Sequence, residues 1–188
     1  MIRNEKVRRL TRMGMLAALS VVLVAIIHFP IFPAAAYLEY DPADIPILIG
    51  IFLYGPWCGV LLTLVASVIQ GLTVSASSGI YGIIMHVIAT GVFCLTAGYI
   101  YKAKKTLKGA LVALICGTLA MAAVMAGANL IITPLFTGMP REAIKALLLP
   151  VIVPFNLIKA GINSAVTFLI YKPISRLFSK NDKLAQNK

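Results

Sequence analysis

Acidic side chains are scarce in this chain: six Asp and Glu stand among 188 residues, against 17 Lys and Arg. Charged residues of both signs make up only 12%, while 60% are hydrophobic. A soluble domain carries about a quarter of its residues as charge, so that class is excluded. A mean hydropathy of +0.94 instead marks an integral membrane protein. Cysteine is sparse too. Cys58, Cys94 and Cys116 stand alone in apolar context, with no C-x-x-C and no histidine at metal spacing, so they read as small core residues and no metal site is expected.

Catalytic motifs are missing. There is no G-x-S-x-G, no H-E-x-x-H and no Ser–His constellation, so the chain is not expected to be an enzyme. The absence of G-x-x-x-x-G-K-[ST] means that it cannot fuel ATP-driven transport by itself. An ion-coupled carrier is expected to hold an intramembrane acid, and no carboxylate falls within the apolar spans delimited below. Alternating barrel strands and repeated units are absent as well.

What is present is a series of apolar runs with basic residues at their ends. The net charge of +11 could suggest nucleic acid, but clustering at segment ends is the pattern of positive-inside topology. Five Lys and Arg precede the first run, four lie between the fourth and fifth, and five follow the sixth. Only Arg141 and Lys145 fall on the other side. The expected fold class is therefore all-α, a polytopic six-helix transmembrane bundle with both termini cytoplasmic. It forms a single domain over 1–188, with spans near 13–29, 45–54, 58–72, 80–101, 109–133 and 147–171. The second and third spans, broken at Gly55-Pro56-Trp57, could also be one kinked helix. The first run also resembles a secretory signal ending at Ala34-Ala35-Ala36, although it exceeds the usual length of such a region, about 7–15 residues.

The last span carries the chain's main energetic oddity, Asn156, Lys159 and Asn163 within PVIVPFNLIKAGINS. Spacings of three and seven put them on one helical face. A mid-helix lysine costs roughly 2.5–3.5 kcal/mol on insertion scales, so it demands a partner or a watery pocket. With a rise of 1.5 Å per residue, Asn156 lies about 9 Å and Lys159 about 14 Å from the outer helix end. Asn129 in the fifth span falls at comparable depth. Without an intramembrane acid to pair with Lys159, the face reads as a pocket of amide donors and acceptors plus one cation, suited to a planar heterocycle with carbonyls and ring nitrogens. His86 and His28 read first as histidines bonded to neighbours, with a ligand contact as the alternative.

Residues 30–44 form an outer loop with Glu39, Asp41 and Asp44, whose carboxylates read as turn and cap groups, Asp44 as the N-cap before Ile45-Pro46. In the first span Gly14, Ala18 and Val22, and Ala17, Val21 and Ala25, recur every four residues, a spacing that admits close helix approach. Such a face serves either internal packing or docking to a separate membrane subunit.

Three stretches, YLEYDPADIPILIG (37–50), ANLIITPLFTGMPREA (128–143) and LLLPVIVPFNLIKAGINS (147–164), resemble the riboflavin-specific substrate-binding component of energy-coupling factor (ECF) transporters. The likeness extends over nearly the whole chain. It implies a multi-pass subunit of the plasma membrane that binds riboflavin from outside as the transported ligand, with no cofactor. Its implied partners are a transmembrane coupling subunit and two cytosolic ATPases. It further implies that Asn129, Asn156 and Lys159 hydrogen-bond the isoalloxazine ring, with Asn163 one turn further in. Tyr37, Leu38, Glu39 and Tyr40 would form a lid over the ligand. Gly14, Ala17, Ala18 and Ala25 would meet the coupling subunit, although Val21 interrupts a strict Ala-x-x-x-Ala. Another vitamin within the same family, an intramembrane enzyme using Lys159 as base or nucleophile, and a passive channel are the alternatives.

Overall fold

The computed structural model describes the backbone of residues 2–186 and the side chains of residues 5–174. The side chains of Arg3, Arg176, Lys180, Lys183 and Lys188, part of the basic charge used for topology, lie outside the described residues. Helices dominate: α1 (Ile2–Ile26), α2 (Asp44–Tyr54), α3 (Pro56–Leu72), α4 (Gly79–Ala103), α5 (Leu107–Thr137), α6 (Arg141–Leu147) and α7 (Val153–Gln186). Two short strands, β1 (Phe29–Pro30) and β2 (Glu39–Tyr40), pair antiparallel with Phe29 opposite Tyr40.

Among the described residues four helical stretches are long and apolar enough to cross a membrane: Glu5–Ile26, Ala76–Ala103, Leu107–Thr137 and Arg141–Ile174. The 11 residues of α2 span roughly 16 Å, about half of a hydrocarbon core. The link between α2 and α3 is Gly55 alone, at φ 93, a conformation that glycine adopts without a Cβ penalty. Pro56 then opens α3 where its missing N–H is no loss. Two helices joined by a tight turn, rather than one kinked helix, is the arrangement formed.

Several boundaries differ from the sequence expectation. The first helix stops at Ile26, short of residue 29, because Phe29 and Pro30 join the small ladder with the loop. The fifth helix passes Pro134 and ends at Thr137, where Gly138 at φ 72 donates its N–H to the Pro134 carbonyl, an αL cap. The outer connection is itself helical as α6, and a π-turn over Leu148–Ile152 joins it to α7. Pro150 explains the widened turn: it has no N–H to donate, and its ring crowds the carbonyl four residues back.

The packing divides into two clusters. The larger gathers α1 to α5 and α7 around Leu16, Leu48, Leu62, Phe93 and Leu114. The smaller joins the first loop to the α6–α7 corner through Ala35, Leu38, Ile144, Val151, Ile152 and Phe155. This second cluster seats the loop over the bundle end where the polar residues lie. In α1, Ala17 is turned into the large core at 7% exposure, whereas Gly14, Ala18 and Ala25 are exposed. Of the four, Ala17 thus packs internally, and the other three stand on the exposed side of the helix.

Candidate ligand-binding site

Asn129, Asn156 and Lys159 come from α5 and α7 and line one cavity of about 170 Å³. Tyr37, Leu38 and Glu39 of the first loop also line it. The remaining wall is built by α3 and α4, with Gln70, Tyr81 and His86 among its residues. Asn163 and Tyr40 are not part of this lining. Instead the Tyr40 hydroxyl donates to Asn163 Oδ1 at 3.2 Å, and Asn163 Nδ2 donates to the Asp41 carbonyl at 3.1 Å. Their role in this geometry is to tie the loop to α7.

The two cavity asparagines are held by their own helices. Asn129 Nδ2 donates to the Met125 carbonyl at 2.8 Å, and its Oδ1 accepts from Thr133 Oγ1 at 2.8 Å. Asn156 Nδ2 donates to the Ile152 carbonyl at 2.8 Å, within the π-turn. Each amide thus has a fixed orientation before any ligand arrives. Fixing the recognising groups in advance lowers the entropy cost of binding.

Lys159 corrects the expectation that it lacks an acidic partner. Its Nζ donates to Asp41 Oδ2 at 2.6 Å and to the Glu39 carbonyl at 3.3 Å. The acid comes from the loop, 118 residues away in sequence, where the sequence predicts a turn or cap group. Asp41 Oδ1 accepts the Ala43 N–H at 3.0 Å, so both carboxylate oxygens are engaged. An ammonium has three donors, and the two bonds to the loop leave one for an occupant of the cavity.

Asp44 is a second correction. It is the first residue of α2, after Ala43 at the N-cap, and makes no cap bond. Its buried carboxylate accepts from Thr90 Oγ1 at 2.7 Å and bonds His86 Nε2 at 3.1 Å. Asn163 Nδ2 reaches its other oxygen at 3.4 Å. His86 Nδ1 meets Ser67 Oγ at 2.8 Å, so the imidazole is bonded on both sides and also borders the cavity. A charged carboxylate in such a place is tolerated only because several donors converge on it. His28 lies apart, with Nδ1 on the Val24 carbonyl at 2.9 Å.

The loop tyrosines are partly withdrawn from water. Burial raises the pKa of both, and at Tyr40 the carboxylates of Asp41 and Asp44 push further the same way against Lys159. Tyr37 packs edge-on against Phe136, with ring centroids 6.4 Å apart. Phe136 also meets Tyr81 at 5.9 Å. Aromatic surface therefore stands beside the amides, the combination that a flat, polar-edged ring requires.

The sequence profile of the ECF transporter, substrate-specific component, matches residues 8–171. The chain belongs to that family. This substrate-specific (S) component is 30% identical to the riboflavin transporter FmnP of Bacillus subtilis (strain 168), over 88% of this chain and 91% of that protein. It is 31% identical to the riboflavin transporter RibU of Staphylococcus aureus (strain TCH60), over 92% of this chain and 93% of that one. Its fold matches a solved S component of a bacterial ECF transporter with a TM-score of 0.80 at 31% identity, covering 92% and 98% of the two chains. An S component for biotin, 19% identical, shares the fold with a TM-score of 0.64 over 92% and 95%. The family is one of transporter subunits, so this chain is not an enzyme.

The cavity wall also holds Gln70, Ser67, Tyr81 and Thr133, which do not stand out in the sequence. Each is an uncharged polar or aromatic residue in an apolar or loop context, where only Ser67 with Gln70, and Thr133 with Asn129, share a helical face. The one available signal was the repeated hydroxyl and amide chemistry near the ends of α3 and α4.

Proposed function

We propose that this S component binds riboflavin in the cavity beneath the first loop and delivers it to an ATP-driven ECF transporter. The observation that carries the reading is the convergence of Asn129, Asn156 and Lys159 on one cavity covered by Tyr37, Leu38 and Glu39. The relatives named as riboflavin transporters at 30–31% identity support the choice of vitamin. Flavin carbonyls and ring nitrogens need donors and acceptors in fixed places, and the two asparagine amides and the remaining lysine N–H supply them. Phe155, Phe136 and Tyr81 offer ring faces to the tricycle.

Membership of the family supports a wider reading. In this reading a six-helix bundle, in which the short α2 and α3 form a pair, spans the plasma membrane with both termini in the cytoplasm. A transmembrane coupling subunit and two cytosolic ATPases provide the energy that this chain, without a nucleotide-binding motif, does not. Gly14, Ala18 and Ala25 on the exposed face of α1 are the candidates for coupling-subunit contact. The loop opens to admit riboflavin and closes through Asp41, Tyr40 and Leu38. The test is purification followed by inspection for a yellow chromophore and by riboflavin fluorescence titration. Stoichiometric quenching is expected, and a colourless protein that leaves the fluorescence unchanged would refute the reading.

A further inference from the structure

Most of the buried polar groups around the cavity already have protein partners, and two do not. Ser67 donates to the Thr63 carbonyl and meets His86. The amide nitrogens of Asn129 and Asn156 are held by backbone carbonyls. By contrast, Gln70 Nε2 and the Tyr37 hydroxyl are buried without any hydrogen-bond partner. Both residues line the cavity, and Gln70 is only 7% exposed. Native structures hold few such atoms, and each calls for an explanation such as a ligand.

Gln70 is placed with care by its surroundings. It stands at the end of α3, where its carbonyl accepts the N–H groups of Thr73 and Ser75 at 3.1 and 2.8 Å. The next residue, Gly71, lies so close to α4 that a Cβ would collide with the Ile83 side chain, which fixes this end of the wall. The backbone is thereby set, while the terminal torsion of the side chain remains soft. A small rotation presents either polar atom of the amide to an occupant.

We propose that Gln70, with the Tyr37 hydroxyl, recognises the hydroxylated side chain of the ligand, while the amides of α5 and α7 take the ring. This assignment rests on the flavin reading above. A flavin's polyol carries hydroxyls that both donate and accept, and entry into an apolar bundle leaves them in need of partners. An amide and a phenol that have none of their own supply both roles. Gln70 is then a specificity residue that separates flavins bearing the polyol from flavins that lack it.

The test compares riboflavin with lumiflavin, the same tricycle carrying a methyl group in place of the polyol. Fluorescence quenching is titrated on the full chain in detergent, for the wild type, Gln70→Ala and Tyr37→Phe. Each substitution is expected to weaken riboflavin by about tenfold, the scale of one lost hydrogen bond, and to leave lumiflavin within about twofold. Tyr37→Phe removes only one oxygen, so it reports even if Gln70→Ala folds poorly. Equal weakening of both ligands, or unchanged riboflavin affinity in both variants, overturns the polyol assignment alone. Wild-type protein that binds neither flavin overturns the flavin reading, and this assignment with it.

Discussion

Where α2 turns into α3, the bundle is closed by contact. Phe52 packs against Tyr101 and Tyr171 with centroids 4.5 and 5.0 Å away, and Arg9 sits 5.4 Å over the Tyr54 ring. Gly98 lets α4 lie against Pro56 with no room for a side chain. Beneath the first loop, the opposite policy holds. Polar side chains are buried there in quantity, and the space between them stays open as a cavity. The difference shows which part of the molecule is fixed and which part is poised. Dense apolar packing tolerates no gap, whereas a polar network can exchange partners when a loop lifts or a ligand enters.

Three substitutions break or sharpen that contrast when thermal unfolding and riboflavin affinity are measured together. The largest effect is expected from Asp44→Ala, which strips His86, Thr90 and Asn163 of a shared acceptor. Removing one partner from a buried charged network costs about 3–5 kcal/mol. A lowered Tm and weakened riboflavin binding should both result, since His86 borders the cavity. Full retention of both properties would show that the network is not a structural unit.

Gly98→Val should come next. A Cβ there would stand 2.7 Å from Pro56 Cα, and overpacking costs typically about 1–3 kcal/mol. The expected signature is a lower Tm with unchanged riboflavin affinity in the folded fraction. Affinity loss comparable to that of Asp44→Ala would dissolve the distinction between the two ends. Tyr40→Phe should be smallest, about 0.5–1.5 kcal/mol for one neutral hydrogen bond, lost between the loop and Asn163. Faster riboflavin release in stopped-flow measurements, with Tm almost unchanged, would mark the bond as a loop tether. Unchanged release would remove Tyr40 from that role.

The contrast also explains what could be read from the sequence. The spacing of Asn156, Lys159 and Asn163 placed them on one inward face because helical periodicity is local information. Depth arithmetic on a single long helix sets Asn129 at the level of Asn156, although not its burial. The partner of Lys159 did not follow, because Asp41 reaches it across 118 residues from a segment whose composition reads as solvated loop. Asp44 reads as a cap for a similar reason: its neighbours Ile45-Pro46 signal a helix start, while His86 and Thr90 become its partners only when α4 packs beside α2. The π-turn at Leu148–Ile152 was hidden behind prolines that also mark helix ends. For the two carboxylates, tertiary contacts decided, not local propensity.

The central claim is that the cavity beneath the first loop is the riboflavin site. Fluorescence titration of riboflavin into purified wild type, Asn156→Ala and Lys159→Ala tests it most directly. The account predicts tight one-to-one quenching by the wild type and, for each variant, an affinity lower by about tenfold or more, with membrane insertion preserved. Equal affinity for all three proteins would contradict it and place the ligand elsewhere.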